Sequence, residues 1–171
     1  MAKMKITDKD KGWKKIVSDY RKIANSPFVK VGVIGSAAES VHKSESNESI
    51  NVATIATIHE FGSESRGIPE RSFIRGTIEA YRPTIVGFIE KLSRAIIFQR
   101  MDASRGLGLL GLEAIKLIKN RITVERIPPP LKPETIKQKT RDGKAGDTPL
   151  VDTAQMLNSV RHEVVVDGRK E

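Results

Sequence analysis

Phe28-Val29-Lys30-Val31-Gly32-Val33-Ile34-Gly35 decides the fold class, because it stands among segments that otherwise read as helix or loop. Its β-branched residues alternate with Lys30 and Gly32, the period of two that marks a half-buried strand. Val160 to Val166 repeats the signal far downstream, alternating and closing on Val164-Val165-Val166. Helical spacing fills much of the sequence between them. The expected class is therefore α+β: a small antiparallel sheet packed by several helices, with extended loops or arms.

Working outward, Trp13, Ile16, Val17, Tyr20 and Ile23 fall three and four apart, so a helix is expected over about 9–25, ended by Ser26-Pro27. Residues 36–49 are Ser, Glu, Asn and His with almost no apolar side chains, which predicts a mobile loop. Val52 to Phe61 returns to a helical pattern stopped by Gly62, and a second loop with Gly67 and Pro69 comes after it. From Arg71 to about Gln99 the pattern is helical but interrupted at Pro83. One helix ending near Tyr81 and another starting there accounts for it, since proline is tolerated in a first helical turn. Ile85, Phe88, Ile89, Leu92 and Ile96 form a stripe on the second piece.

A further helix spans about 104–122, with Leu107, Leu110, Ala114, Ile115, Ile118 and Ile122 on one side. Gly106, Gly108 and Gly111 weaken its start by roughly 1 kcal/mol each relative to alanine. They either permit close packing against a neighbour or leave a frayed first turn. Pro128-Pro129-Pro130 then favours an extended arm. A short helix is expected over 133–140, and Asp152 or Thr153 is placed to N-cap a last helix through Ser159. The expected division is a basic helical arm over 1–27, one α+β domain over 28–167 and a tail over 168–171.

The bulk chemistry narrows the function classes. Among 171 residues, 38% are hydrophobic and only 5% aromatic, so the core is built from Ile, Leu and Val. Thirty Lys and Arg against 21 Asp and Glu leave a net charge of +9, which favours anionic partners. Residues 3–30 hold nine basic against three acidic side chains, and 116–146 again nine against three. Residues 39–64 instead hold five Glu and one Lys. Cysteine is absent, which excludes disulfides, thiolate metal sites and cysteine nucleophiles. No apolar run of signal-peptide or membrane-spanning length occurs, so no membrane partner is expected.

Catalytic patterns do not complete themselves. His59-Glu60 begins like the HExxH zinc signature, but position 63 is Ser, so the second ligand is missing. Gly32 and Gly35 follow a strand without the helix and phosphate loop of a dinucleotide site. No serine elbow occurs and no carboxylate spacing stands out. The expectation is no catalytic residue, no metal and no cofactor.

Two stretches carry more than composition does. One is Ala56-Thr57-Ile58-His59-Glu60-Phe61-Gly62-Ser63, followed by Ile68-Pro69-Glu70-Arg71-Ser72-Phe73-Ile74-Arg75. The other is Leu131-Lys132-Pro133-Glu134-Thr135, then Pro149-Leu150-Val151-Asp152-Thr153-Ala154-Gln155-Met156-Leu157-Asn158-Ser159-Val160. In order and spacing this series resembles phage virion-morphogenesis and tail-completion proteins of the head–tail junction, over about residues 52–160. The family usually has Gly after the Asp-Thr pair, where this chain has Ala154.

The resemblance implies a non-enzymatic structural subunit of the neck, a tail-completion or tail-terminator protein. It would form a ring with copies of itself, commonly a hexamer, and dock on neighbouring connector and tail-tube proteins. Genome DNA would pass through the lumen without sequence choice. The location would be the virion's head–tail junction, after assembly in the host cytoplasm. The alternative is a basic, sequence-independent DNA-binding protein.

The structural motif residues are then Glu60, Phe61, Gly62, Pro69, Arg71, Phe73, Asp152 and Thr153. Glu60-Phe61-Gly62 would end a helix with an anchored aromatic and a left-handed glycine cap. Pro69, Arg71 and Phe73 would set up the next helix and bury Phe73, and Asp152-Thr153 would cap the last one. Subunit contact or DNA contact would fall to Lys116, Lys119, Arg121, Lys132, Lys137, Lys139 and Arg141, and to the acidic Glu45, Glu48 and Glu64.

Overall fold

The computed structural model describes Lys14, Val17 and residues 27–43, 49–98, 100–142, 147–150, 155–166 and 169–170. The expected helix over 9–25 lies outside these residues except for Lys14 and Val17. The class is α+β.

Strand β1 (Phe28–Val33) pairs antiparallel with β4 (Val160–Val166), in a register running from Phe28 opposite Val165 to Val33 opposite Val160. The two strand signals at opposite ends of the sequence are thus one ladder. β4 is the middle strand, because β5 (Arg169–Lys170) pairs along its other edge. The expected tail over 168–171 therefore contributes a strand, two residues that continue the ladder by backbone hydrogen bonding. Val164 and Val165 point to opposite faces of β4 and both are buried, so the middle strand is covered on both sides there.

Helix α1 (Ser36–Glu39) and strand β2 (Val41–Lys43) occupy the first part of the stretch expected to be a mobile loop, strand β3 (Ser49–Asn51) starts at its last residue, and 44–48 lie outside the described residues. β2 and β3 form a separate antiparallel pair. The polar composition set the side chains' preference for water, whereas a strand pair is held by the backbone and needs few apolar side chains. The Ser40 carbonyl also accepts from the Val52 amide at 3.0 Å, tying this unit to the start of the next helix.

Helix α2 (Val52–Phe61) starts where Asn51 accepts from the Thr54 amide at 2.7 Å, an N-cap. Helices α3 (Arg75–Ala80) and α4 (Arg82–Ile97) meet at Tyr81, with Pro83 in the first turn of α4. Asp102 caps α5 (Ala103–Asn120) by accepting from the Arg105 amide at 2.8 Å. α5 runs into a π-helical segment, Arg121–Glu125. Helix α6 (Pro133–Arg141) and the short α7 (Gln155–Asn158) complete the set.

α5 lies across β1 and β4 and also packs on α4. Two of its glycines make this possible. A β-carbon on Gly111 would fall 2.6 Å from the His162 ring of β4, and one on Gly106 would fall 2.9 Å from Ile96 of α4. Close packing, rather than a frayed turn, is what these two glycines provide, whereas Gly108 faces open space. The core joins Val52 and Ala56 of α2, Phe73, Ile118 of α5, Ile122, Ile127, Met156 and Val160.

Candidate functional site around Glu60 and Arg71

Val52, Ala56 and Glu60 fall four apart on α2, so the buried face of that helix ends on a carboxylate. Glu60 is only 6% exposed, and it is satisfied by the chain that comes back over it. Its Oε1 accepts from the Ser72 hydroxyl at 2.7 Å and from the Arg75 amide at 2.9 Å. Its Oε2 accepts from the Ile74 amide at 2.9 Å. Ser72 Oγ in turn accepts from the Gly76 amide at 2.9 Å. Three amides at the start of α3 are thus capped by side chains, two of them by a residue of another helix, and negative charge sits where the helix dipole favours it. The chain bends at Phe73 and Ile74 as it comes over Glu60, and α3 begins at Arg75.

Arg71 is buried and turned the other way. Its Nε donates to the Pro129 carbonyl at 3.0 Å and its Nη2 to the Pro130 carbonyl at 3.4 Å. A guanidinium fork suits two successive carbonyls, and a proline run has carbonyls to offer but no amides. Burial holds the Arg71 pKa below the usual guanidinium value. The Arg71 amide donates to the His59 carbonyl at 2.8 Å. His59 Nδ1 is buried with no hydrogen-bond partner among the described residues. Burial first, and the Arg71 charge second, lower the imidazole pKa.

Phe73 is fully buried, as expected. Phe61 is not the anchored aromatic: it is 61% exposed, and the Arg75 guanidinium lies 5.2 Å from its ring centre. The reason is helical geometry, since one residue past the inward Glu60 is rotated by about 100° toward solvent. Gly62 has φ +76° and ψ 173°, so the positive φ is present but the left-handed helical basin is not. A β-carbon there would lie 2.9 Å from the Glu70 amide nitrogen, in the narrow loop where Ser63 and Ile68 exchange backbone bonds of 2.8 and 2.9 Å. Pro69 is exposed between that loop and Arg71. An open groove of about 340 Å³ runs beside the clasp, lined by Val33, Ala53, Ala56, Thr57, Phe61 and Arg75 among others. Asp152 and Thr153 lie outside the described residues.

The charged candidates divide. Arg121 is drawn inward, its Nη1 donating to the Gly76 carbonyl at 2.7 Å. Lys139 is buried, its Nζ donating to the Thr148 carbonyl at 3.1 Å. Both are thus internal fasteners and not outward contacts, because long basic side chains can reach distant carbonyls left unpaired by turns. Lys116 pairs with Glu113 at 3.0 Å on the surface of α5, and Arg141 lies 3.5 Å from Asp142. Lys132, Lys137 and Glu64 are exposed, and Lys119 is half-buried. Glu45 and Glu48 lie outside the described residues.

Sequence reasoning passed over Ser72 and the contact from Tyr81 to Glu125, and it took up His59 only in the incomplete zinc signature, not for a buried, unpartnered Nδ1. Only Ser72 carried a local signal, a hydroxyl four residues before the amide it caps. Among the described residues no three His, Asp or Glu side chains converge as a metal-ligand set, and no helix is long and apolar enough to cross a membrane. Compared with family models, with curated proteins and with solved structures, the chain has no match.

Proposed function

We propose that this chain is a structural subunit of a phage head–tail connector, a tail-completion or tail-terminator protein that joins tail to capsid as a ring of like copies. The observation that carries the reading is the use to which the motif residues are put. Glu60 and Arg71, the charged pair at the heart of the resemblance, direct their hydrogen-bonding groups at the chain itself: Glu60 at the Ser72 hydroxyl and the Ile74 and Arg75 amides, Arg71 at the Pro129 and Pro130 carbonyls. A buried charge held this way fixes the angle between segments, and a geometric component needs fixed angles. In this reading the chain catalyses nothing and binds no cofactor. Its partners are other copies, the neighbouring neck and tail-tube proteins, and the genome DNA in the lumen.

The test is assembly. Purified protein examined by sedimentation and electron microscopy should form closed rings, commonly of six. Added to tails assembled without it, it should restore their joining to heads, and a map of the virion neck should place it there. A monomer that shifts duplex DNA of any sequence and leaves tails unjoined would support the DNA-binding reading instead. That alternative draws on the +9 net charge, but the inward engagement of Arg121 and Lys139 removes two of its candidate contacts.

A further inference from the structure

We propose that the end of α4, Ile97 with Phe98, of one copy seats in the groove between α2 and α3 of the next, so that each subunit carries a knob and the socket for its neighbour's. The inference rests on the proposed ring and names the contact that would build it.

The knob is an apolar end left in water. Phe98 is 69% exposed and Ile97 57%, where α4 stops and the chain turns toward α5. Val86 and Ile89 lie on the same stripe of the helix as Ile97 and are exposed too, so the apolar surface runs back along α4. Exposed apolar patches rimmed by charge mark interaction surfaces.

The socket is apolar and open. It offers about 340 Å³, with Val33, Ala53, Ala56 and Phe61 on its walls. The two alanines leave the room, and the exposed Phe61 offers an incoming ring an aromatic neighbour. The charges beside it are already engaged. Glu60 accepts from Ser72, Ile74 and Arg75, and the Arg75 side chain pairs with Glu70 at 2.5 Å. An apolar group entering the groove therefore buries no charge that lacks a partner.

Charge chooses the occupant. Around the knob, residues 91–105 hold Lys91, Arg94, Arg100 and Arg105 against Asp102, all exposed. The four cations make no ion pair among the described residues. Residues 39–75, which supply most of the groove's walls, hold six Glu against four Lys and Arg, although the whole chain stands at +9. Knob and socket thus lie on segments of opposite sign, which suits a head-to-tail contact between copies. Val124 is as exposed as Phe98, but it is smaller and stands beside Glu125.

Blocking each half separately tests the contact. Phe98→Asp spoils the knob, Thr57→Arg fills the mouth of the socket, and both positions are exposed. Each variant alone should raise the protein concentration needed for rings by about tenfold or more in sedimentation. Mixed in equal amounts, the two should form a dimer and nothing larger, because one intact knob and one intact socket remain between them. The chain has no cysteine, so Thr57→Cys combined with Phe98→Cys carries the only two thiols. A short bismaleimide should link copies of that variant into a ladder of oligomers, which reports the contact even where a blocking variant fails to fold. Rings that form normally in both blocking variants, a mixture without dimers, or linking only within one copy would overturn the docking and leave the ring reading standing. A native chain that stays monomeric at every concentration would overturn both.

Discussion

Phe73 has no exposed surface and Phe61 keeps 61% of its own, although both stand in one motif. Truncating Phe73 to alanine should therefore cost about 3–5 kcal/mol in denaturant melts. Truncating Phe61 should cost less than about 1 kcal/mol, chiefly its contact with Arg75. If the Phe61 variant nonetheless loses assembly, that ring belongs to a contact between copies. Glu60→Gln probes the clasp: an amide group must present a donor to one of the amides or hydroxyls that the carboxylate accepts from. Each hydrogen bond to a charged group is worth about 1.5–3 kcal/mol, so a loss of that order in thermal or chemical melts is expected. Phe73's burial was legible because an aromatic residue beside a helix start has few other uses. Glu60's was not, since a carboxylate on a helix reads as surface until the segment that satisfies it has folded over it.

At the scale of elements, local periodicity made α2, β1, β4 and the break at Pro83 legible, because apolar spacing and proline sterics act within a few residues. The β2–β3 pair was hidden, because backbone pairing leaves little trace in side-chain polarity. The glycines of α5 were half legible: their cost was plain, but not the neighbour that repays it. Gly111→Ala should destabilise by about 1–3 kcal/mol, since its β-carbon would overlap the ring and β-carbon of His162. His162→Ala added to Gly111→Ala removes the ring atoms from that overlap, so the double variant should be more stable than the two single losses summed. A purely additive result in a double-mutant cycle would deny the contact its role. Gly62→Ala should cost about 1–3 kcal/mol, because its positive φ and the nearby Glu70 backbone leave no room to relax.

For the molecule as a whole, the uneven charge along the sequence suggests how copies in the proposed ring would meet. A head-to-tail contact joins different surfaces of one chain, so the exposed Lys132 and Lys137 on one copy are suited to the acidic 39–64 region of the next. Exposed pairs are worth only about 0–1 kcal/mol each, so they set register more than affinity. Lys132→Glu with Lys137→Glu should weaken assembly at low salt, as should Glu45, Glu48 and Glu64 changed to Lys. Mixing the two variants should restore it partly, as sedimentation would show. Assembly indifferent to both sets would end the charge-pairing account. Another consequence comes from the ladder between β1 and β4, which joins residues 28–33 to residues 160–166. During synthesis β1 leaves the ribosome early and waits for a partner that is made more than a hundred residues later. The sheet cannot close before β4 is made, so its edge and the face meant for α5 stay open until β4 arrives. A chain stopped at residue 158 should accordingly show no protected β1 amides in hydrogen exchange and should be captured by chaperones. One extended to 166 should release itself, which makes the synthesis of β4 the timing signal for closing the sheet.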